Sequence, residues 1–139
     1  MFLPIQRKPI PRDELCKLDV SVVYLFGSHA EGFAGPASDI DVGVVLSNSS
    51  SLHRDTTKLY QALYDLFTDI FDMRDFRNID IVFLDRASLE LRFDAITHGK
   101  VLFEKNADIR LNFEERTAAL YRDFKPLLEE SNRGVLQRI

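Results

Sequence analysis

Two apolar runs of seven residues, Val20–Phe26 and Ile40–Leu46, constrain this chain most. Each is rich in β-branched residues and lacks clean polar alternation, the pattern of a strand buried on both faces. The first is closed by Gly27-Ser28. The second is entered through Asp39-Ile40-Asp41, with ten residues separating Ser28 from Asp39. A small flexible turn and two carboxylates are therefore attached to the ends of core strands.

The remaining elements follow from pattern. Pro4, Pro9 and Pro11 keep the start irregular. Asp13 is expected to cap a short helix over about 13–18. Ser28 opens a short helical turn, and Gly32, Gly35 and Pro36 break the chain after it. Ser47-Asn48-Ser49-Ser50-Ser51 forms a loop and supplies the cap of a long helix. Its stripe of Leu52, Leu59, Leu63, Leu66, Phe67 and Ile70 faces a core. Residues 79–84 form a third strand. Ser88 starts a helix that Gly99 stops as its C′ residue. Lys100–Glu104 is a fourth strand, and Lys100 reads as a solvated lysine at its start, with reach to a phosphate as the alternative. From Ala107 the chain is helical to about residue 138, with Ile109, Phe113, Leu120 and Phe124 facing inward and Pro126 dividing the helix near Lys125. Its last apolar residues, Leu127, Leu128, Val135 and Leu136, could pack on the core or contact a partner.

The predicted order, α-β-α-β-α-β-α-β-α, gives an α/β (α+β) class: a small mixed sheet packed by helices, with a C-terminal helical segment. Strand direction does not follow from that order. At 139 residues, the chain 1–139 reads as a single domain. No apolar stretch approaches the ~20 residues of a membrane helix, and no signal peptide is recognisable, so a cytoplasmic location is expected. The net charge of −4 argues against direct nucleic-acid binding through a cationic surface. Cys16 is the only cysteine and reads as a packing residue.

The acids carry the chemistry. Asp39 and Asp41 share one side of a strand, with Cα atoms roughly 6–7 Å apart. Converging carboxylates repel unless a cation lies between them. Mg²⁺ takes oxygen ligands from a few carboxylates and from substrate phosphates. Asp80 interrupts the third apolar run and is the candidate third ligand, since a buried, unpaired acid there would be costly. Gly27 lets backbone approach a phosphate, and the Ser28 hydroxyl can bind one. Neither the P-loop nor the dinucleotide fingerprint is present. His29 reads as a polar loop residue, and Tyr60, Tyr64 and Tyr121 as packing residues. His29, His53 and His98 lack zinc-ligand spacing.

Gly27-Ser28, the ten-residue gap, Asp39-x-Asp41 and the later strand acid Asp80 resemble the nucleotidyltransferase superfamily of the DNA polymerase β type. The resemblance continues through Asp80-Ile-Val-Phe-Leu-Asp-Arg-Ala-Ser, His98-Gly-Lys-Val-Leu-Phe-Glu and Tyr121-Arg-Asp-Phe-Lys-Pro-Leu-Leu-Glu. It covers nearly all the chain from Val20 onward. In short length it is similar to the minimal nucleotidyltransferase (MNT) antitoxins that pair with HEPN-domain RNase toxins.

That resemblance implies the polymerase β-like fold, and ATP as substrate with two Mg²⁺ ions. Asp39, Asp41 and Asp80 are the implied metal ligands and catalytic residues. Asp80 also helps to deprotonate the attacking hydroxyl. Gly27 and Ser28 hold the β- and γ-phosphates. The implied acceptor is a tyrosine of a HEPN toxin, which AMPylation neutralises, so a hetero-oligomer with the toxin is expected. Glu31 places negative charge inside the gap and supports a second reading, a catalytically weak module that neutralises its partner by binding. A third is a small-molecule nucleotidyltransferase of the aminoglycoside type, for which the chain leaves little room.

Overall fold

The computed structural model describes residues 5–32, 34–35, 38–53, 55–74 and 78–137, with backbone only at Ser51, His53 and 132–137. Pro4, Pro36 and the side chains of His53, Val135 and Leu136 therefore lie outside the described residues. The order is α1 (Arg12–Lys17), β1 (Val20–Phe26), α2 (Ser28–Glu31), β2 (Ile40–Leu46), α3 (Thr57–Ile70), β3 (Ile79–Phe83), α4 (Leu89–His98), β4 (Lys100–Glu104) and α5 (Ala107–Gln137). Short 3₁₀ turns, Ser49–His53 and Leu84–Arg86, precede α3 and α4.

The strands form one mixed sheet in the order β3-β2-β1-β4. β1 lies antiparallel to both β2 and β4, whereas β3 runs parallel to β2. The parallel pair needs a crossover, which α3 provides. Because β1 and β2 are the inner strands, both of their faces are covered, which accounts for their unbroken apolar runs.

Alternation divides these residues between two cores. Val23, Leu25, Ile40, Val42, Val44, Ile79 and Ile81 pack with Leu15 of α1 and with Leu63, Phe67 and Ile70 of α3. Cys16 is half-buried against this core, as a packing residue. On the opposite face Val22, Tyr24, Phe26 and Val45 pack with Leu84, Ala95 and Phe113 from the α4 and α5 side. Gly43 belongs to this second face. A Cβ there would come within 2.8 Å of Leu84 Cδ1, so the glycine makes room for the turn after β3.

Several helix ends depart from expectation. Pro11, not Asp13, is the N-cap of α1, and no side chain caps it. Asp13 sits in the first turn, where its charge still suits the helix dipole. The serines lead into a 3₁₀ turn instead of capping α3. The N-cap is Thr56, whose side chain makes no capping bond, and Asp55 just before it accepts from the Thr57 N–H at 3.0 Å and its hydroxyl at 2.6 Å. Gly99 does stop α4, as its C-cap with φ −80°. Space is the reason for glycine there, since a Cβ would overlap the Ala95 carbonyl. Pro126 lies within an unbroken α5. Its missing N–H costs least on an exposed stretch, where water can satisfy the freed carbonyl.

α5 has 31 residues, which at 1.5 Å per residue makes it about 46 Å long. The strands span only five to seven residues, so the helix overhangs the sheet. Its inward stripe holds for Ile109 and Phe113, continues at Thr117, and leaves the body at Leu120 and Phe124, which are 40% and 47% exposed. Tyr121 stacks on Phe93 of α4, with ring centroids 3.9 Å apart. Among the described residues no helix is long and apolar enough to cross a membrane.

Ser88 does cap α4 as expected, its hydroxyl accepting from the Leu91 N–H at 3.2 Å. Ser88→Ala is expected to cost about 1 kcal/mol in urea unfolding, with Ser88→Gly intermediate. Asp85, in the turn after β3, accepts from the Leu46 N–H at 2.9 Å. Burial pushes its pKa up, against the opposing pull of that hydrogen bond, Arg92 and Arg116. The folded state thus holds this proton more tightly than the unfolded chain does. Its contribution to stability is fullest below the ordinary value of 3.8 and is lost as pH rises through the folded value. Asp85→Asn should flatten that decline when urea midpoints are compared from about pH 4 upward.

Candidate functional site

The carboxylates collect at one end of the sheet. Asp41 is the second residue of β2 and pairs with Phe26, the last residue of β1, on one side. On the other it lies beside Asp80 in the parallel ladder. Neighbouring strands are about 4.8 Å apart, so this register sets two acids side by side. Both belong to the face that Val45 and Leu84 occupy further along, but α4 and α5 cover that other end. Asp80 is consequently exposed and Asp41 only half-buried. Asp39, just before β2, is exposed, and its carboxylate accepts a long hydrogen bond (3.4 Å) from the Asn78 N–H.

Asp41 feels this arrangement most. Its pKa is raised first by burial, then by the charges of Asp80 and Asp39, with His29 pulling the other way. Three acids are thus electrostatically coupled, and the excess negative charge is what a divalent cation would relieve. Among the described residues no three His, Cys, Asp or Glu side chains already stand together as a ready metal cluster. The donor chemistry suits a hard cation, for which oxygen ligands shared with a substrate's phosphates are usual.

Gly27 closes the other side. It has φ +72° and ψ −155°, a conformation that favours glycine. The Asp41 carboxylate packs directly against it, in the space a Cβ would fill. The turn's own hydrogen bonds begin with the Ala30 and Glu31 N–H groups, both donating to the Gly27 carbonyl at 3.1 Å. The N–H groups of Ser28 and His29 are left without an intrahelical partner. Ser28 is half-buried, and Gly32, with φ +87°, ends α2.

Two contributors were not legible as such in the sequence. The ring of His29 bonds the Ser38 carbonyl at 2.9 Å, tying α2 to the residue before Asp39. A carbonyl only accepts, so His29 Nε2 carries a hydrogen. Asn78 is the other. Its carbonyl accepts from the Ile40 N–H at 2.9 Å, and its side-chain oxygen accepts from the Tyr64 hydroxyl at 2.9 Å. The adjacency of His29 to Ser28 was the one available signal; Asn78 offered none. Lys100 pairs with Leu25, so in the ladder it belongs to the opposite face from Asp41.

A family model described as "Polymerase beta, Nucleotidyltransferase" matches residues 13–108. No curated protein matches the sequence. A solved toxin–antitoxin structure with AMP-PNP is similar at 24% identity and a TM-score of 0.64, over 91% of this chain and 98% of that one. A complex of a tri-AMPylated Shewanella oneidensis HEPN toxin with an MNT antitoxin is similar at 22% identity and a TM-score of 0.61, over 90% and 95%. An MntA–HepT toxin–antitoxin structure is similar at 22% identity and a TM-score of 0.60, over 90% and 96%. These likenesses are ones of fold, including the mixed sheet and its flanking helices.

Proposed function

Since the chain belongs to the polymerase β nucleotidyltransferase family, we propose that it transfers AMP from ATP to a protein hydroxyl, a tyrosine of a HEPN toxin, and so acts as an antitoxin. The observation that carries this reading is the pairing of Asp41 with Asp80 across the parallel ladder, closed on its other side by Gly27.

Asp39, Asp41 and Asp80 are the residues that would hold Mg²⁺. When bound, the ions neutralise phosphate charge and favour formation of a nucleophile. Gly27 and Ser28 present backbone N–H groups and a hydroxyl to the β- and γ-phosphates. Asp80, the exposed acid, takes the proton of the acceptor hydroxyl. That oxygen bonds to the α-phosphorus as the bond to the leaving pyrophosphate breaks. His29 holds α2 against the approach to Asp39 and so positions Ser28 relative to the acids. The exposed apolar residues Leu120, Phe124 and Leu127 on the overhanging part of α5 suit contact with a protein partner.

The fold likeness to toxin–antitoxin chains supports this choice of acceptor. The test is co-expression with the product of the adjacent reading frame, expected to be a small helical protein with an Arg-x-x-x-x-His motif. ATP labelled at the α-phosphate should then label that protein. An unlabelled partner, with the chain intact and ATP present, would sink the proposal. Glu31, exposed at the end of α2, favours the second reading, neutralisation by binding alone. Under it, the partner would be inhibited in the complex yet carry no AMP.

A further inference from the structure

Beyond the carboxylates, the same sheet face holds a cavity at its covered end. It measures about 180 Å³ and lies among the 3₁₀ turn after β2, α4 and α5. Its polar lining is Ser49, Asp85, Arg92, Arg116 and Thr117, with Phe113 as an apolar wall. Asp41 and Leu46 are five residues apart on β2, so this end lies about 16 Å from the carboxylates by the strand rise.

The charges there do not balance internally. The Nε of Arg92 is buried and has no hydrogen-bond partner among the described residues. Arg116 makes no hydrogen bond or ion pair among them either. Asp85 is the one acid of the lining, and one of its oxygens is already taken by the Leu46 N–H. Both arginines act electrostatically on Asp85, so two guanidinium groups face one carboxylate, an excess of one positive charge on the exposed Arg116 side. Buried donors are normally satisfied, and a guanidinium is matched best by the oxygens of a phosphate or carboxylate. The volume is below the ~300–1,000 Å³ usual for small-molecule and cofactor sites, too small for a nucleotide.

We propose that this cavity binds a small oxyanion of phosphate size, held by the guanidinium groups of Arg92 and Arg116. The hydroxyls of Ser49 and Thr117 complete the set of donors. The bound anion ties the turn after β2 to α4 and α5, at the point where α5 leaves the body. It is a site separate from the transfer chemistry and stands whether or not the chain transfers AMP.

Inorganic phosphate is the probe. At fixed pH and ionic strength it should shift the Arg92 Nε–H and the Thr117 amide in a saturable way in ¹H–¹⁵N spectra of the whole chain. Arg92→Met should abolish the Thr117 shift. Arg116→Met, a change at an exposed position, keeps the fold and should weaken binding by about 10-fold or more, the value of a charge-assisted hydrogen bond. The proposal is overturned if shifts appear only at residues 27–30, if Arg92 Nε–H does not respond, or if Arg116→Met binds phosphate as tightly as the wild type.

Discussion

Replacing Asp39 and Asp41 together by asparagine is expected to lower AMP transfer by about 10³-fold or more while leaving the protein folded. Asparagine keeps the size of each side chain but removes the charge that would hold a cation. Loss of a group that stabilises developing charge in a phosphoryl-type transition state costs several kcal/mol, and each 1.36 kcal/mol is about tenfold in rate. Stability should not suffer. Asp41 is held among like charges, and its raised pKa shows that the folded state disfavours its ionisation. The urea midpoint near neutral pH is therefore expected to stay or rise. Both quantities are measurable on one preparation, with radiolabel transfer for the first and fluorescence or circular dichroism for the second. A double variant within tenfold of wild-type transfer would remove the acids from the reaction. A double variant that still protects cells while transferring nothing would instead favour neutralisation by binding.

Gly27→Ala carries the second large effect, and it has two separable parts. A φ of +72° with an extended ψ is a region that strains any L side chain, by about 1–3 kcal/mol. The added methyl would also occupy the volume of the Asp41 carboxylate. Something must move, and the acid is the softer side. Displacing a reacting group by about 1 Å can cost 10²-fold in rate. Gly32→Ala is the matched control. It also sits at positive φ, but an added Cβ meets nothing within 4 Å. Both variants should unfold at lower urea, while only Gly27→Ala should lose transfer by about 10²-fold. Equal transfer in the two would mean that the packing of Gly27 on Asp41 is irrelevant to the reaction.

The inner strands were readable because both of their faces are covered, which makes their apolar runs unbroken. Val20–Phe26 and Ile40–Leu46 begin and end where the apolar pattern places them, as does the edge strand Lys100–Glu104. β3 ends one residue early, since Leu84 turns into a 3₁₀ helix and covers Gly43. The helix ends were harder, because a serine run, an aspartate and a proline compete for similar capping positions. Thr56 and Pro11 stand at the caps in place of the serines and Asp13, through local geometry that composition does not encode. Gly99 illustrates another ambiguity, as glycine answers both to handedness and to crowding. The inward stripe of α5 failed beyond Thr117 because periodicity records one face of a helix, not how far the sheet beneath it extends. Within the candidate site, the spacing from Gly27 to Asp41 is visible in the chain. The register of Asp41 with Asp80 is not, because it is set by strand order and by a parallel ladder. The hydrogen bond from His29 to Ser38 depends on the same assembly.

The parallel pairing of β2 with β3 has a consequence for when the molecule becomes competent. Antiparallel neighbours such as β1 and β2 can meet through a short connection early in folding. A parallel ladder closes only after the intervening helix has formed and the chain has doubled back across the sheet. Loop-closure entropy must be met before such distant pairings return any stability, and that makes them late events. Asp80 reaches Asp41 through this closure. A chain emerging from the ribosome would therefore carry its glycine turn and its first two acids well before it could use them. Activity would appear in one step with the completed sheet, with no partially active folding intermediate preceding it.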